Sequence, residues 1–278
     1  MNSGTQIKAL IRNLSKEKNI DAQILLRNYM MERLLERISL SEYKYSFVLK
    51  GGMLIAALVG LDARSTLDMD ATIRGFAVSK ETVQVMFEKI LAVPIDDGIN
   101  MQIRNIEDIR DDAEYSGLRL SLGTVFDGIR QSLKIDITTG DAITPRAIRY
   151  GYKLMLESRS IEVMAYNLET ILAEKLETII SRSTANTRMR DFYDIYMLTL
   201  TRMDEIDYAL LWNALSATAK KRGTVVQLQQ TDQTIFEVIK SKVMQEFWQR
   251  YQAQYNYAKD IAWEDVAKAL LNVIEKVK

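Results

Sequence analysis

Two carboxylates separated by a single residue, Asp68 and Asp70, lie in the stretch Arg64-Ser65-Thr66-Leu67-Asp68-Met69-Asp70. Successive side chains of a strand alternate between its faces, so Asp68, Asp70 and Thr72 share one surface while Leu67, Met69, Ala71 and Ile73 share the other, apolar and buried. In an extended strand the two Cα atoms stand about 6.5–7 Å apart. That spacing lets both carboxylates converge on one hard divalent cation such as Mg²⁺. Upstream, Phe47-Val48-Leu49 is a short apolar run that leads through Lys50 into Gly51-Gly52-Met53 and then Leu54 to Val59, which reads as the start of a helix. Glycines at such a junction let backbone N–H groups approach an anion, and a helix N-terminus adds a favourable dipole. The chemistry these residues suit is the handling of a metal-bound phosphate.

The elements that must position them follow from periodicity. Apolar stripes predict helices from about residue 6 to 39, with Asp21 as an N-cap, and from Ser79 or Lys80 to Leu91, capped by Ser79. Strands are expected at Met101–Ile106, Leu118–Val125, Ser132–Thr138, within Ile148–Leu156, and at Ile161–Tyr166. Asp127-Gly128 is the turn of a hairpin, and a meander is the simplest topology. Asp136 shares its strand face with Lys134 and Thr138. It becomes a third carboxylate only if its strand lies beside the Asp68/Asp70 strand, and a solvated edge residue is the other reading.

Asn167 to Ser183 reads as a helix whose apolar stripe includes Lys175, with Glu174, Glu177 and Thr178 on the polar side. An unpaired ammonium is costly to bury, so Lys175 should meet a carboxylate, reach the rim, or project toward phosphate. Asp191 and Asp194 share a helical face after an arginine-rich loop, Arg182 to Arg190; Asp191 could cap the helix, order Arg190, or act on a hydroxyl. From Asp204 onward the pattern is helical, with Asp232 as an N-cap and a basic cluster, Lys220-Lys221-Arg222, that suits a wet helix end or a phosphate backbone. The expected fold class is α+β. Residues 1–166 hold N-terminal helices and a mixed or antiparallel sheet, and residues 167–278 a helical domain contributing Lys175 and Asp191 to a cleft.

Composition narrows the chemistry. The 278 residues contain no histidine and no cysteine, which excludes imidazole acid/base work, Ser-His-Asp and Cys-His catalysis, and Cys/His zinc sites. Basic and acidic residues number 37 each, so any nucleic-acid contact needs a local patch. No stretch approaches the roughly 20 apolar residues that cross a bilayer, and no signal-like N-terminal run is present. A cytoplasmic protein with no membrane association is expected.

Strand, Gly-Gly, helix, then a strand with Asp-x-Asp resembles the polymerase-β-like nucleotidyltransferases. Lys50-Gly51-Gly52, Arg64-Ser65, Asp68-x-Asp70, Glu174-Lys175 and Arg190-Asp191-x-x-Asp194 resemble, more closely, the AbiEii/AbiGii toxin nucleotidyltransferases. The likeness runs from about Phe47 to Leu200. It implies a polymerase-β-like core and a bacterial toxin of a toxin–antitoxin or phage-defence (abortive infection) system that consumes an NTP. GTP is a candidate donor and the tRNA 3′ end a candidate acceptor. A cognate antitoxin, one able to act without direct contact, is also implied. Carried over residue by residue, Asp68 and Asp70, with Asp136 as third, would hold Mg²⁺ or Mn²⁺. Lys50, Gly51, Gly52, Arg64, Ser65 and Lys175 would bind the triphosphate, and Lys175 and Asp191 would belong to the active site. Met53 departs from the pattern, because many polymerase-β-like enzymes have Ser or Thr there. Two rivals stay open: a non-catalytic nucleotide- or partner-binding module on this fold, and a nucleotidyltransferase acting on a protein or small molecule.

Overall fold

The computed structural model describes residues 4–109 and 117–277. They fall into two compact units, Met1–Gly140 with Ile148–Ala165, and Asp141–Ala147 with Tyr166–Lys278.

The first unit opens with helices α1 (Gly4–Lys18) and α2 (Ala22–Leu40), and Asp21 caps α2 by accepting from the Gln23 N–H. Strand β1 (Phe47–Lys50) runs into α3 (Gly51–Val59), followed by β2 (Met69–Ile73) and α4 (Lys80–Leu91). Ser79 and Thr82 form a capping box at the start of α4, where each side chain satisfies the other's backbone N–H. Five strands complete the unit: β3 (Asn100–Ile109), β4 (Gly117–Phe126), β5 (Ile129–Thr139), β6 (Ile148–Lys153) and β7 (Ser160–Ala165).

These strands form one mixed sheet in the order β3-β4-β5-β2-β1-β7-β6. The expected meander holds for β3, β4 and β5, whose central turn has Asp127 and Gly128 both at positive φ (46° and 76°), as a two-residue hairpin turn requires. It does not extend to β6. Strand β2 takes the free edge of β5 in parallel, β1 pairs antiparallel with β2, and the β6–β7 hairpin joins parallel to β1 on the far side. The sheet is therefore closed up by two short buried strands from early in the chain. A consecutive meander would have left those strands without partners for their backbone groups.

Alternation along these strands separates two faces. Leu49, Met69, Ala71, Leu120, Ile135 and Ile137 are fully buried on one, where α2 and α4 pack; Phe47 meets Phe87 of α4 edge to face, and Tyr29 of α2 lies against Phe126. The opposite face carries Lys50, Asp70, Asp136 and Arg119. Leu67, expected on the buried face, is 46% exposed because the strand begins only at Met69.

The second unit is helical: α5 (Leu168–Arg182), α6 (Met189–Arg202), α7 (Tyr208–Arg222), α8 (Val225–Gln229), α9 (Thr231–Lys240), α10 (Lys242–Gln254) and α11 (Trp263–Val277). Asn167 caps α5 through Thr170 N–H, while its amide donates to Thr144 O at 2.7 Å and so ties the 141–147 segment to this unit. The side of α5 expected to be polar is covered. Glu177 and Thr178 are buried because Arg222, at the end of α7, pairs with Glu177 and donates to Thr178 Oγ1 at 3.1 Å. Arg222 thus has a structural partner rather than a place in a wet basic cluster. Asp232 lies in the first turn of α9; the N-cap position belongs to Gln230.

Candidate active site

In the first unit the site is built by strand register. Lys50 of β1 stands opposite Asp70 of β2, Asp70 opposite Asp136 of β5, Asp136 opposite Arg119 of β4, and Arg119 opposite Glu107 of β3. Directly paired residues project to the same face. The result is one row of charge across five strands, cation, anion, anion, cation, anion, with two carboxylates side by side near its centre. The adjacency that Asp136 needed is present. Opposite charges in register favour pairing, whereas neighbouring like charges oppose it, so the Asp70–Asp136 step is the unfavourable one in the row.

Its electrostatics follow. Burial pushes the Asp70 carboxyl above the usual carboxylate range; Lys50 and the Gly52 N–H oppose the shift, and the charges of Asp136 and Asp68 add to it. Asp136 is held instead by Arg119, whose Nε and Nη2 donate to its two oxygens at 2.8 and 2.7 Å. This pairing raises the Arg119 pKa. Among the described residues no group of three or more acidic side chains is gathered closely enough to hold a metal ion. The donor set nonetheless suits a divalent cation: two register-paired carboxylates and Asp68 repel one another, and a hard cation with oxygen ligands relieves that repulsion.

The Gly51-Gly52 turn sits against this row. Gly51 has φ 64°, and a Cβ there would overlap the Asp70 carboxylate. The Gly52 N–H donates to Asp70 Oδ2 at 3.2 Å, and a Cβ on Gly52 would lie 2.7 Å from Thr66 Oγ1 and 3.2 Å from an Arg64 guanidinium nitrogen. Each glycine is needed for close approach, Gly51 to the carboxylate and Gly52 to the Arg64–Thr66 segment. Arg64 is buried and donates from Nη1 to Ser65 O at 2.5 Å; Thr66 Oγ1 donates to Asp68 O at 3.1 Å and orients the residue just before β2. Met53 is wholly buried, so that position presents no hydroxyl.

In the second unit Lys175 of α5 meets two carboxylates of α6, Asp191 Oδ1 at 2.9 Å and Asp194 Oδ2 at 2.7 Å. Burial pulls the ammonium pKa down, but the two aspartates outweigh it and hold it above the ordinary lysine value. Of the outcomes open to a lysine in an apolar stripe, the structure shows the carboxylate pairing. Asp191 is not the N-cap of α6, a position held by Arg188, whose Nε lies 3.2 Å from Asp191 Oδ2. Nor is Arg190 its partner: the Arg190 guanidinium donates to the Tyr255 hydroxyl at 2.9 Å.

Sequence reasoning missed Arg119 and Thr66 and left Asp194 aside. Arg119 was within reach, since counting equal steps back from the Asp127-Gly128 turn along both hairpin strands puts it opposite Asp136. The closeness of Thr66 to Gly52 had no local signal.

A family model described as Nucleotidyl transferase AbiEii toxin, Type IV TA system, matches residues 33–270. The chain belongs to the AbiEii family. It is accordingly a nucleotidyltransferase of a toxin–antitoxin family, using an NTP as donor, and family membership implies an antitoxin partner and usually a divalent metal. Solved structures that share the fold of this AbiEii chain include two from bacteria. MenT4, a nucleotidyltransferase toxin from Mycobacterium tuberculosis H37Rv, superposes with a TM-score of 0.52 at 15% identity over 98% of this chain and 99% of its own. JHP933 from Helicobacter pylori does so with a TM-score of 0.51 at 16% identity, over 92% and 94%. Among curated proteins none matches the chain. No helix among the described residues of this AbiEii protein is long and apolar enough to cross a membrane.

Proposed function

We propose that the charged row and the glycine turn of the first unit form the nucleotide-transfer site, and that this AbiEii chain moves the nucleoside monophosphate of an NTP onto an acceptor hydroxyl. In that reaction a bond forms between the acceptor oxygen and the α-phosphorus, the bond to the β-phosphate oxygen breaks, and pyrophosphate departs as the hydroxyl proton is released. The observation that carries the assignment is the pairing of Asp70 with Asp136 in register beside Gly51 and Gly52.

Asp68, Asp70 and Asp136 would hold Mg²⁺ or Mn²⁺, which supplies charge neutralisation and acidifies an attacking hydroxyl. The Gly51-Gly52 backbone, Lys50, Arg64 and Ser65 would receive the triphosphate. Lys175 would bind triphosphate oxygen through its remaining donor, since an ammonium has three and the two aspartates use two; Asp191 and Asp194 would fix its position. GTP is the candidate donor, the tRNA 3′ end the candidate acceptor, the cytoplasm the candidate compartment, and the antitoxin would act without direct contact.

The test is incubation of the protein with total tRNA, Mg²⁺ and each α-labelled NTP in turn. Labelled tRNA is expected from wild type and none from Asp70→Asn. Equal labelling by the variant would refute the assignment, and a labelled protein or small molecule would identify another acceptor class. A non-catalytic binding module draws on one observation, that Arg119 already neutralises Asp136; retention of an NTP with no label transferred to any acceptor would favour it.

A further inference from the structure

We propose that Arg119 is a displaceable counter-ion on Asp136, one that makes divalent-cation binding at the carboxylate row depend on the nucleotide's phosphates. The inference rests on the cation-binding reading above and goes beyond it by assigning a role to a residue outside the glycine, Asp-x-Asp and lysine motifs.

The geometry points to competition. Both guanidinium bonds to Asp136 are short, and they occupy both carboxylate oxygens. A cation bridging Asp70 and Asp136 would bind one of those same oxygens, so guanidinium and metal, both positive and only a few ångströms apart, compete for the charge of one carboxylate. The pair is also reachable. Side-chain exposure is 34% for Arg119 and 22% for Asp136, unlike the Lys175–Asp194 pair, where the carboxylate is fully enclosed.

Arg119 has somewhere to go. Its register neighbour away from Asp136 is Glu107, an exposed residue on β3. A guanidinium that leaves Asp136 keeps an anion on its other side. A triphosphate strengthens the exchange, because its oxygens accept the same planar fork of N–H donors as a carboxylate. The free protein would therefore hold cations weakly, and the metal would load with its nucleotide rather than ahead of it. In linkage terms the cation and the polyanion bind with positive coupling, and Arg119 carries part of that coupling.

The experiment titrates the purified full chain with Mn²⁺ and reads free ion by electron paramagnetic resonance, with no nucleotide and no turnover. Arg119→Gln is expected to bind Mn²⁺ about tenfold more tightly than wild type, and Arg119→Lys, which keeps charge without the fork, to fall between them. With inorganic tripolyphosphate present, retention should rise more in wild type than in Arg119→Gln; chelation in solution is common to both proteins. Unchanged or weaker Mn²⁺ binding by Arg119→Gln, in a variant whose thermal melt matches wild type, would overturn the proposal. Asp70→Asn separates the two levels. If it abolishes Mn²⁺ binding while Arg119→Gln has no effect, the cation site stands and the counter-ion role falls. If it leaves Mn²⁺ binding intact, the site assignment falls as well.

Discussion

Replacing Gly51 by alanine tests how tightly the glycine turn is bound to the acidic row. Two costs are separable. At φ 64° an L-residue enters the left-handed region, which costs about 1–2 kcal/mol. The new Cβ would also overlap the Asp70 carboxylate, well inside the 3.0 Å approach that real Cβ atoms keep. Relief requires either a backbone shift or a new Asp70 rotamer that gives up the Gly52 N–H, a cost of about 1–3 kcal/mol by comparison with overpacked cores. The sum is roughly 2–5 kcal/mol.

Gly128→Ala is the matched control, because Gly128 has φ 76° with nothing within 4 Å of its would-be Cβ and lies in the same unit. It should show only the conformational part, about 1–2 kcal/mol. Trp212, Trp248 and Trp263 all lie in the helical unit, so tryptophan fluorescence does not report on the sheet. Hydrogen exchange of β1 and β2 peptides by mass spectrometry does. Equal loss of protection in the two variants would refute the steric argument and, with it, the claim that Gly51 exists to admit Asp70.

Two further outcomes are expected. Lys175→Met takes the ammonium away from Asp191 and Asp194, whose side chains are 5% and 0% exposed, and should cost about 3–5 kcal/mol; Lys175→Met/Asp194→Asn should recover part of it. A loss below 1 kcal/mol in urea denaturation would show that the pair is not the anchor between α5 and α6. Glu32, on α2, has its pKa raised from 4.5 to about 8, chiefly by burial, with the Met155 N–H and Arg33 opposing and Glu157 adding. Its folded form keeps a proton that the unfolded chain releases, so its contribution is full below about pH 4.5 and is lost as pH rises through about 8, with a slope near 1.4 kcal/mol per unit between. The difference in stability between wild type and Glu32→Gln should follow that slope in melts at several pH values; a difference independent of pH would contradict the buried-acid reading.

Much of this protein was local and therefore legible. The caps at Asp21, Ser79 and Asn167, the Asp127-Gly128 turn and the apolar stripes are set by neighbours within four residues, and the structure repeats them. Absence of histidine and cysteine confined the chemistry to carboxylates, amines and hydroxyls. The two-residue spacing of Asp68 and Asp70 beside a Gly-Gly junction pointed to metal-bound phosphate, and the reaction class came from the resemblance those motifs carry. Long-range pairing was not legible. Whether Asp136 sat at a solvated edge or beside Asp70 depended on β2 docking in parallel across 66 residues of sequence, and apolar alternation fixes a strand's buried face without fixing its neighbour. The fate of Lys175 was decided in the same way: its stripe showed that it pointed inward, but only the packing of α5 on α6 supplied the two aspartates that make burial of its charge tolerable.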